Sequence, residues 1–313
     1  MDLNFEPQPE PCSRPPRLHI PALLWTYFLY CNQSGITIAP ALKNFTRNSW
    51  AGTWLILTCK IFPVPASDPN PASELQDWCN HLTHCERCPR LRAYCQQIGQ
   101  TKRRAYQNWE YWARPVPSFG DPLARVVVVG LAPGAHGSNR TGRPFTGDGS
   151  GDFLYPVLHR AGFASQPTAT AREDGLRLHD LWITAVVRCA PPDNKPLLEE
   201  LRNCASHLDE EMALLPNARV AVCLGKIAFD GYVAHLLRTG KIASKRGLVF
   251  AHGAEYALPE GRHLLASYHP SLQNTNTGRL TSAMLLNVFQ RARARAEAAS
   301  PPEGSDAFSA SSN

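Results

Sequence analysis

The chain has 313 residues, 43% of them hydrophobic, and a formal net charge of +6 at pH 7. That supplies one sizeable core, and the basic balance favours a polyanionic partner over a cationic one. Ten cysteines without cystine-like spacing, in a chain this long, argue against a secreted disulfide scaffold.

Residues 1–72 read as an N-terminal extension, either disordered or the product of an upstream start site. Prolines crowd Phe62-Pro63-Val64-Pro65 and Asp68-Pro69-Asn70-Pro71, which breaks any helix or central strand. The apolar run over 20–30, behind Arg14 and Arg17, is too short to span a bilayer. No small-residue cleavage site follows it promptly. The expectation is a cytoplasmic protein with no membrane partner.

A domain over 73–295 follows. Ser73 with Gln76 resembles a capping box. Leu75, Trp78, Cys79 and Leu82 then recur at helical spacing. A second helix is expected after Pro89, with Leu91, Tyr94, Cys95 and Ile98 on one side. Lys102, Arg103 and Arg104 precede Tyr106, Trp109, Tyr111 and Trp112. Interleaved basics and aromatics suit nucleic acid, and equally a loop anchored on the core by its rings. The valine run 126–129, ending at Gly130, reads as a buried parallel strand. Further strands are expected over 181–187, 220–224 and 263–268. Helices are expected over 152–162, 196–215, 226–237 and 280–295, with Pro196 near the first position of its helix. The remainder, 296–313, is rich in Ser, Pro, Gly and Glu and reads as a disordered tail. This alternation predicts an α/β fold, a parallel sheet with helices on both faces.

Ligands bind outside the carboxyl ends of parallel strands. Three polar loops, over 130–151, 188–195 and 269–271, are therefore expected to converge. The first is glycine-dense but lacks both the Walker A pattern and the dinucleotide fingerprint. Its amides suit an anion or a carbonyl oxygen. Phe145 is a candidate stacking platform or a core ring. Asp148 is placed to act chemically or merely to cap the next helix.

Cysteines give a second cluster. Cys85 and Cys88 form a close pair, and Cys189 and Cys204 are separated by 14 residues. Four thiolates on separate elements suit zinc and a [4Fe-4S] cube alike. Unliganded thiols remain the third reading.

Four stretches carry a family resemblance. They are Gly130 through Asp148, then Val187-Arg188-Cys189-Ala190-Pro191-Pro192 with Asn194-Lys195, then Ser267-Tyr268-His269-Pro270-Ser271, and Tyr111-Trp112-Ala113-Arg114-Pro115-Val116-Pro117. Across roughly 74–295 the chain resembles the family 5, or type b, uracil-DNA glycosylases. The resemblance implies a three-layer α/β/α sandwich with a central parallel four-stranded sheet. It implies a monomeric enzyme, without lyase activity, that excises uracil and other deaminated bases such as hypoxanthine from DNA. It also implies a structural [4Fe-4S] cluster on Cys85, Cys88, Cys189 and Cys204. By family pattern Asp148 activates water with help from Asn194, and His269 supports the departing base. Phe145 stacks on that base, with Leu131 and Gly134 lining its pocket. Arg140, Arg143, Arg188, Lys195 and Ser271 are expected to form a phosphate-binding rim.

One departure bears on specificity. Relatives strict for uracil often carry asparagine where this chain has Ala185, and glutamate where it has Leu131. Fewer base-edge partners imply a less selective pocket. The rival reading is a non-catalytic iron-sulfur protein that binds nucleic acid.

Overall fold

The computed structural model describes residues 71–298, together with residues 31–32 and 35–36. The chain divides into two units, Met1–Pro63 and Val64–Asn313. In the first, β1 (Cys31–Asn32) and β2 (Gly35–Ile36) pair antiparallel. Residues 71–72 of the expected extension and 296–298 of the expected tail are helical; apart from β1 and β2, the others of both lie outside the described residues.

The second unit opens with two helices, α1 (Pro71–Leu82) and α2 (Pro89–Thr101). A six-stranded sheet follows, built from β3 (Phe119–Gly120), β4 (Val126–Gly130), β5 (Leu181–Ala185), β6 (Val220–Leu224), β7 (Glu255–Leu258) and β8 (Arg262–Ser267). Its spatial order is β3-β5-β4-β6-β8-β7. The middle four strands are parallel, with Val126 opposite both Leu181 and Val220, and Val220 opposite His263. The parallel four-stranded sheet expected from the alternation is therefore the centre of a larger one. Edge strands β3 and β7 join antiparallel. They are too short, and β7 too exposed, to leave a periodic signal in the sequence.

The remaining helices are α3 (Ser138–Thr141), α4 (Gly149–Arg160), α5 (Leu198–Ala213), α6 (Lys226–Arg238), α7 (Leu272–Asn276) and α8 (Ser282–Ala298). Strand side chains alternate between two cores, as the pleat requires. Val127 and Val129 pack with Leu75, Leu91, Leu208 and Phe229, from α1, α2, α5 and α6. Val126 and Val128 pack with Leu154, Leu158, Leu285 and Phe289, from α4 and α8. These are the three layers of an α/β/α sandwich.

Topology places the site. From β4 the chain moves to one side to form β5, then returns to the other side for β6. That reversal opens a crevice at the carboxyl end of β4. The loop after Gly130 stands there.

Candidate active site

All three expected loops meet at this crevice. They enclose a cavity of about 190 Å³ lined by Leu131, Gly134, Phe145, Asp148, Asn194 and His269, among others. Sites for drug-sized ligands run to about 300–1,000 Å³, so this one is scaled to a smaller ligand.

Asp148 is both a cap and a cavity residue. Its Oδ1 accepts from the Ser150 amide at 3.1 Å and the Gly151 amide at 3.0 Å, closing the first turn of α4. Its Oδ2 accepts no hydrogen bond from the described residues and lies against Gly134 and Gly137. A Cβ at position 137 would fall 1.9 Å from that oxygen. Only glycine there lets the carboxylate sit where it does. Burial pushes the Asp148 carboxyl above its ordinary range, while the Gly151 and Ser150 amides oppose the shift. The helix dipole also favours the anion.

Phe145 sits with φ at +49°, a left-handed conformation unusual for a bulky residue. Such strain costs on the order of 1–3 kcal/mol and persists only where the surroundings enforce it. Here they do. Arg143 grips Asp174 with both terminal nitrogens at 2.8 and 2.7 Å, and its Nε donates to Thr146 at 2.9 Å. The Tyr155 hydroxyl donates to the Pro144 carbonyl at 2.9 Å. The Phe145 ring is thereby held 5.8 Å from the His269 ring, the planes inclined by 33°.

His269 follows β8 and is half-buried. Its carbonyl accepts from the Asn274 side chain at 2.8 Å, which ties the turn to α7. Burial pushes the imidazole down to about 4. It is therefore neutral at neutral pH and has one N–H to donate. Asn194 is exposed at the cavity mouth, in a turn with φ of +53° at Asp193 and +57° at Asn194. Asx residues tolerate that region better than most. Ser271 also borders the cavity.

Of the residues expected at a phosphate-binding rim, the three arginines are buried. Arg140, Arg143 and Arg188 are each only 3% exposed and serve internal partners. Arg143 holds Asp174, as above. Arg188 pairs with Glu211 and donates to Ser118, touching the cavity from its buried side. Arg140 donates to main-chain carbonyls at His136 and Gly147. A buried cation committed in this way is not offered to a phosphate. Lys195 is exposed but stands outside the cavity lining. Cavity residues that sequence reasoning missed include Val116, Ser138, Ser150 and Thr184. Nothing in their types marked them.

Comparison with known proteins agrees with this geometry. Residues 117–293 match the family model of the uracil DNA glycosylase superfamily. A type-5 uracil-DNA glycosylase of Thermus thermophilus is 57% identical over 213 residues, covering 68% of this chain and 94% of that protein. One of Pyrobaculum aerophilum is 44% identical over 226 residues, 72% of this chain and 95% of that protein. A type-4 uracil-DNA glycosylase of Thermotoga maritima is 30% identical over 175 residues, 56% of this chain and 79% of that protein. The chain belongs to the type-5 uracil-DNA glycosylases.

For this type-5 family member the expected [4Fe-4S] cluster is corrected. Among the described residues, no group of three or more His, Cys, Asp or Glu side chains is placed to hold a metal ion. Cys85, Cys88, Cys189 and Cys204 do border one space, but it measures only about 20 Å³, room for about one water. A hydrogen bond to Cys95, then burial, push the Cys189 thiol up. Burial pushes Cys204 up to about 11 and raises Cys88. Cys85 lies 3.3 Å from the His207 ring.

No helix among the described residues of this family member is long and apolar enough to cross a membrane.

Proposed function

We propose that the chain is a DNA glycosylase that hydrolyses the N-glycosidic bond of uracil, and of other deaminated bases such as hypoxanthine, in DNA, so initiating base excision repair. The observation that carries this reading is one cavity bordered together by Phe145, Asp148, Asn194 and His269, in a chain of this family.

The target carbon is inaccessible in stacked duplex, so the nucleotide is flipped into the cavity. The flipped base stacks on Phe145. Leu131 and Gly134 line its edge. As the bond between the sugar carbon and the base nitrogen breaks, its electron pair leaves with the base. The sugar carbon becomes positive and the base negative. The Asp148 carboxylate stabilises the first and, through its free Oδ2, orients the attacking water and takes its proton. Asn194 assists in holding that water. Neutral His269 keeps its proton and donates a hydrogen bond from its N–H to the negative charge on the leaving base. Lys195 and Ser271 contact phosphates at the mouth.

Three further features support finer points. Among the described residues no lysine lines the cavity, and lyase chemistry through an imine needs an amine there. The reaction read here is hydrolytic only. Every side chain named comes from one chain, so a monomer suffices. The described cysteines are free thiols, which suits a reducing compartment such as the cytoplasm. The rival reading, a non-catalytic iron-sulfur protein, loses its support with the cluster correction.

Breadth follows from the lining. Leu131 and Ala185 both border the cavity, and neither side chain can hydrogen-bond a base edge. The test is a panel of duplexes bearing uracil, hypoxanthine or xanthine. Release of free uracil and of at least one other base is expected. Release of uracil alone overturns the breadth, and no release at all overturns the function.

A further inference from the structure

Arg140 does not line the cavity, yet it holds the residue next to Asp148. Its Nε donates to the His136 carbonyl at 2.8 Å, and its Nη2 to the Gly147 carbonyl at 2.7 Å. Gly147 immediately precedes Asp148. The Gly147 backbone is left-handed, with φ at +73°, and a Cβ there would fall 2.4 Å from Nη2. Glycine thus permits both the turn and the close approach.

The guanidinium is clamped from outside. Its carbon lies 3.9 Å from the centre of the Tyr106 ring and 4.1 Å from that of Trp109. The two rings meet edge to face, 6.4 Å apart. The segment bearing them is tied to α3 by main-chain bonds as well. Trp112 N–H donates to the Arg140 carbonyl at 2.9 Å, and Ala113 N–H to that of Asn139 at 3.0 Å.

Electrostatically the placement is unusual. Among the described residues no carboxylate lies within ion-pair distance of Arg140, and its Nη1 is buried without a hydrogen-bond partner. An unpaired buried cation is costly. Cation–π contacts with the two rings offset part of that cost. The uncompensated charge acts on Asp148.

We propose that Arg140 is a positioning residue: clamped between Tyr106 and Trp109, it fixes the Gly147 carbonyl and so sets the placement of the Asp148 carboxylate for attack. The proposal rests on the reading of Asp148 given above. Tyr106 and Trp109 are then the outer half of the device, which explains why the chain puts aromatics beside its basic run.

The experiment compares Arg140→Met, Arg140→Lys and Trp109→Ala with the unaltered chain and Asp148→Asn. Single-turnover release of uracil and affinity for the uracil duplex are both measured. Arg140→Met is expected to slow release by about 10- to 100-fold, the cost of a misplacement on the order of 1 Å, with affinity unchanged within about twofold. Arg140→Lys recovers part of the rate, because it keeps the charge. Release by Arg140→Met at the unaltered rate, beside an inactive Asp148→Asn, overturns the proposal alone. So does a loss of affinity matching the loss of rate, or a lysine variant no faster than methionine. An active Asp148→Asn variant overturns the reading of Asp148 and the proposal with it. Should Arg140→Met not fold, Trp109→Ala decides. It removes a partly exposed ring, and slower release at unchanged affinity is expected, whereas an unaltered rate overturns the clamp.

Discussion

Asp148 and Glu211 are both carboxylates withdrawn from solvent, and the fold binds them in opposite ways. Glu211 is fully buried. One oxygen accepts from Trp182 Nε1 at 2.8 Å, and the other from the Thr184 hydroxyl at 2.6 Å and from Arg188. Arg188 in turn lies 5.3 Å from the Trp78 ring centre. Both oxygens are occupied and the charge is paired. Such a network fixes α5 to β5 and to the strand-end loop, and it offers nothing to a substrate. Asp148 uses one oxygen for the helix cap and leaves the other facing glycine. The difference between structural and reactive carboxylates here is one free lone-pair direction.

Substitutions can break or sharpen this contrast. Asp148→Asn has the largest expected effect. Asparagine caps a helix about as well as aspartate, so the melting temperature should hold. Excision should fall by about 10²- to 10⁴-fold, the range for a lost general base. Glu211→Ala should behave in the reverse way. It leaves Arg188 buried and uncompensated, which costs about 3–5 kcal/mol. Urea unfolding would detect it, and the residual folded protein should still excise uracil. Phe145→Ala should weaken capture of the flipped base by about 1–3 kcal/mol, the worth of one base–aromatic stack. Affinities for uracil-bearing and undamaged duplexes, compared side by side, would isolate that loss. Lys195→Ala should do least. It should weaken all duplexes similarly and lower the slope of affinity against salt by about one contact. A change in discrimination between bases would contradict a phosphate role for Lys195.

The contrast also explains which features the sequence disclosed. The strands at 126–130, 181–185 and 220–224 were legible because burial on both faces demands continuous apolar runs. The convergence of three loops followed from strand direction alone. Asp148 was legible as a cap, and the resemblance supplied its second role. The helix expected over 196–215 is α5, Leu198–Ala213; Pro196 stands before it, and Glu200 accepts from the Leu197 amide to close its start. The burial of the arginines is not legible in the sequence because their partners are remote. Asp174 is 31 residues from Arg143, and Glu211 is 23 residues from Arg188. A basic residue in a polar loop looks the same whether it faces a phosphate or a buried acid. The cysteines failed for a related reason. Spacing offered Cys189 three companions, and the four do border one space, but it is far too small for a cluster.

The central claim is that an ionised Asp148 and a neutral His269 work together in this cavity. Single-turnover uracil release measured against pH tests it most directly. Asp148 is active when deprotonated, and burial raises its pKa above the ordinary 3.8. The rate should therefore fall as pH drops through a limb lying above 3.8. His269, pushed down to about 4, is already neutral at pH 6. The rate should not fall as pH rises from about 6 to 8, the interval in which an ordinary imidazolium loses its proton. A rate that declines through that interval would contradict the account, because it would require His269 to act as a cation.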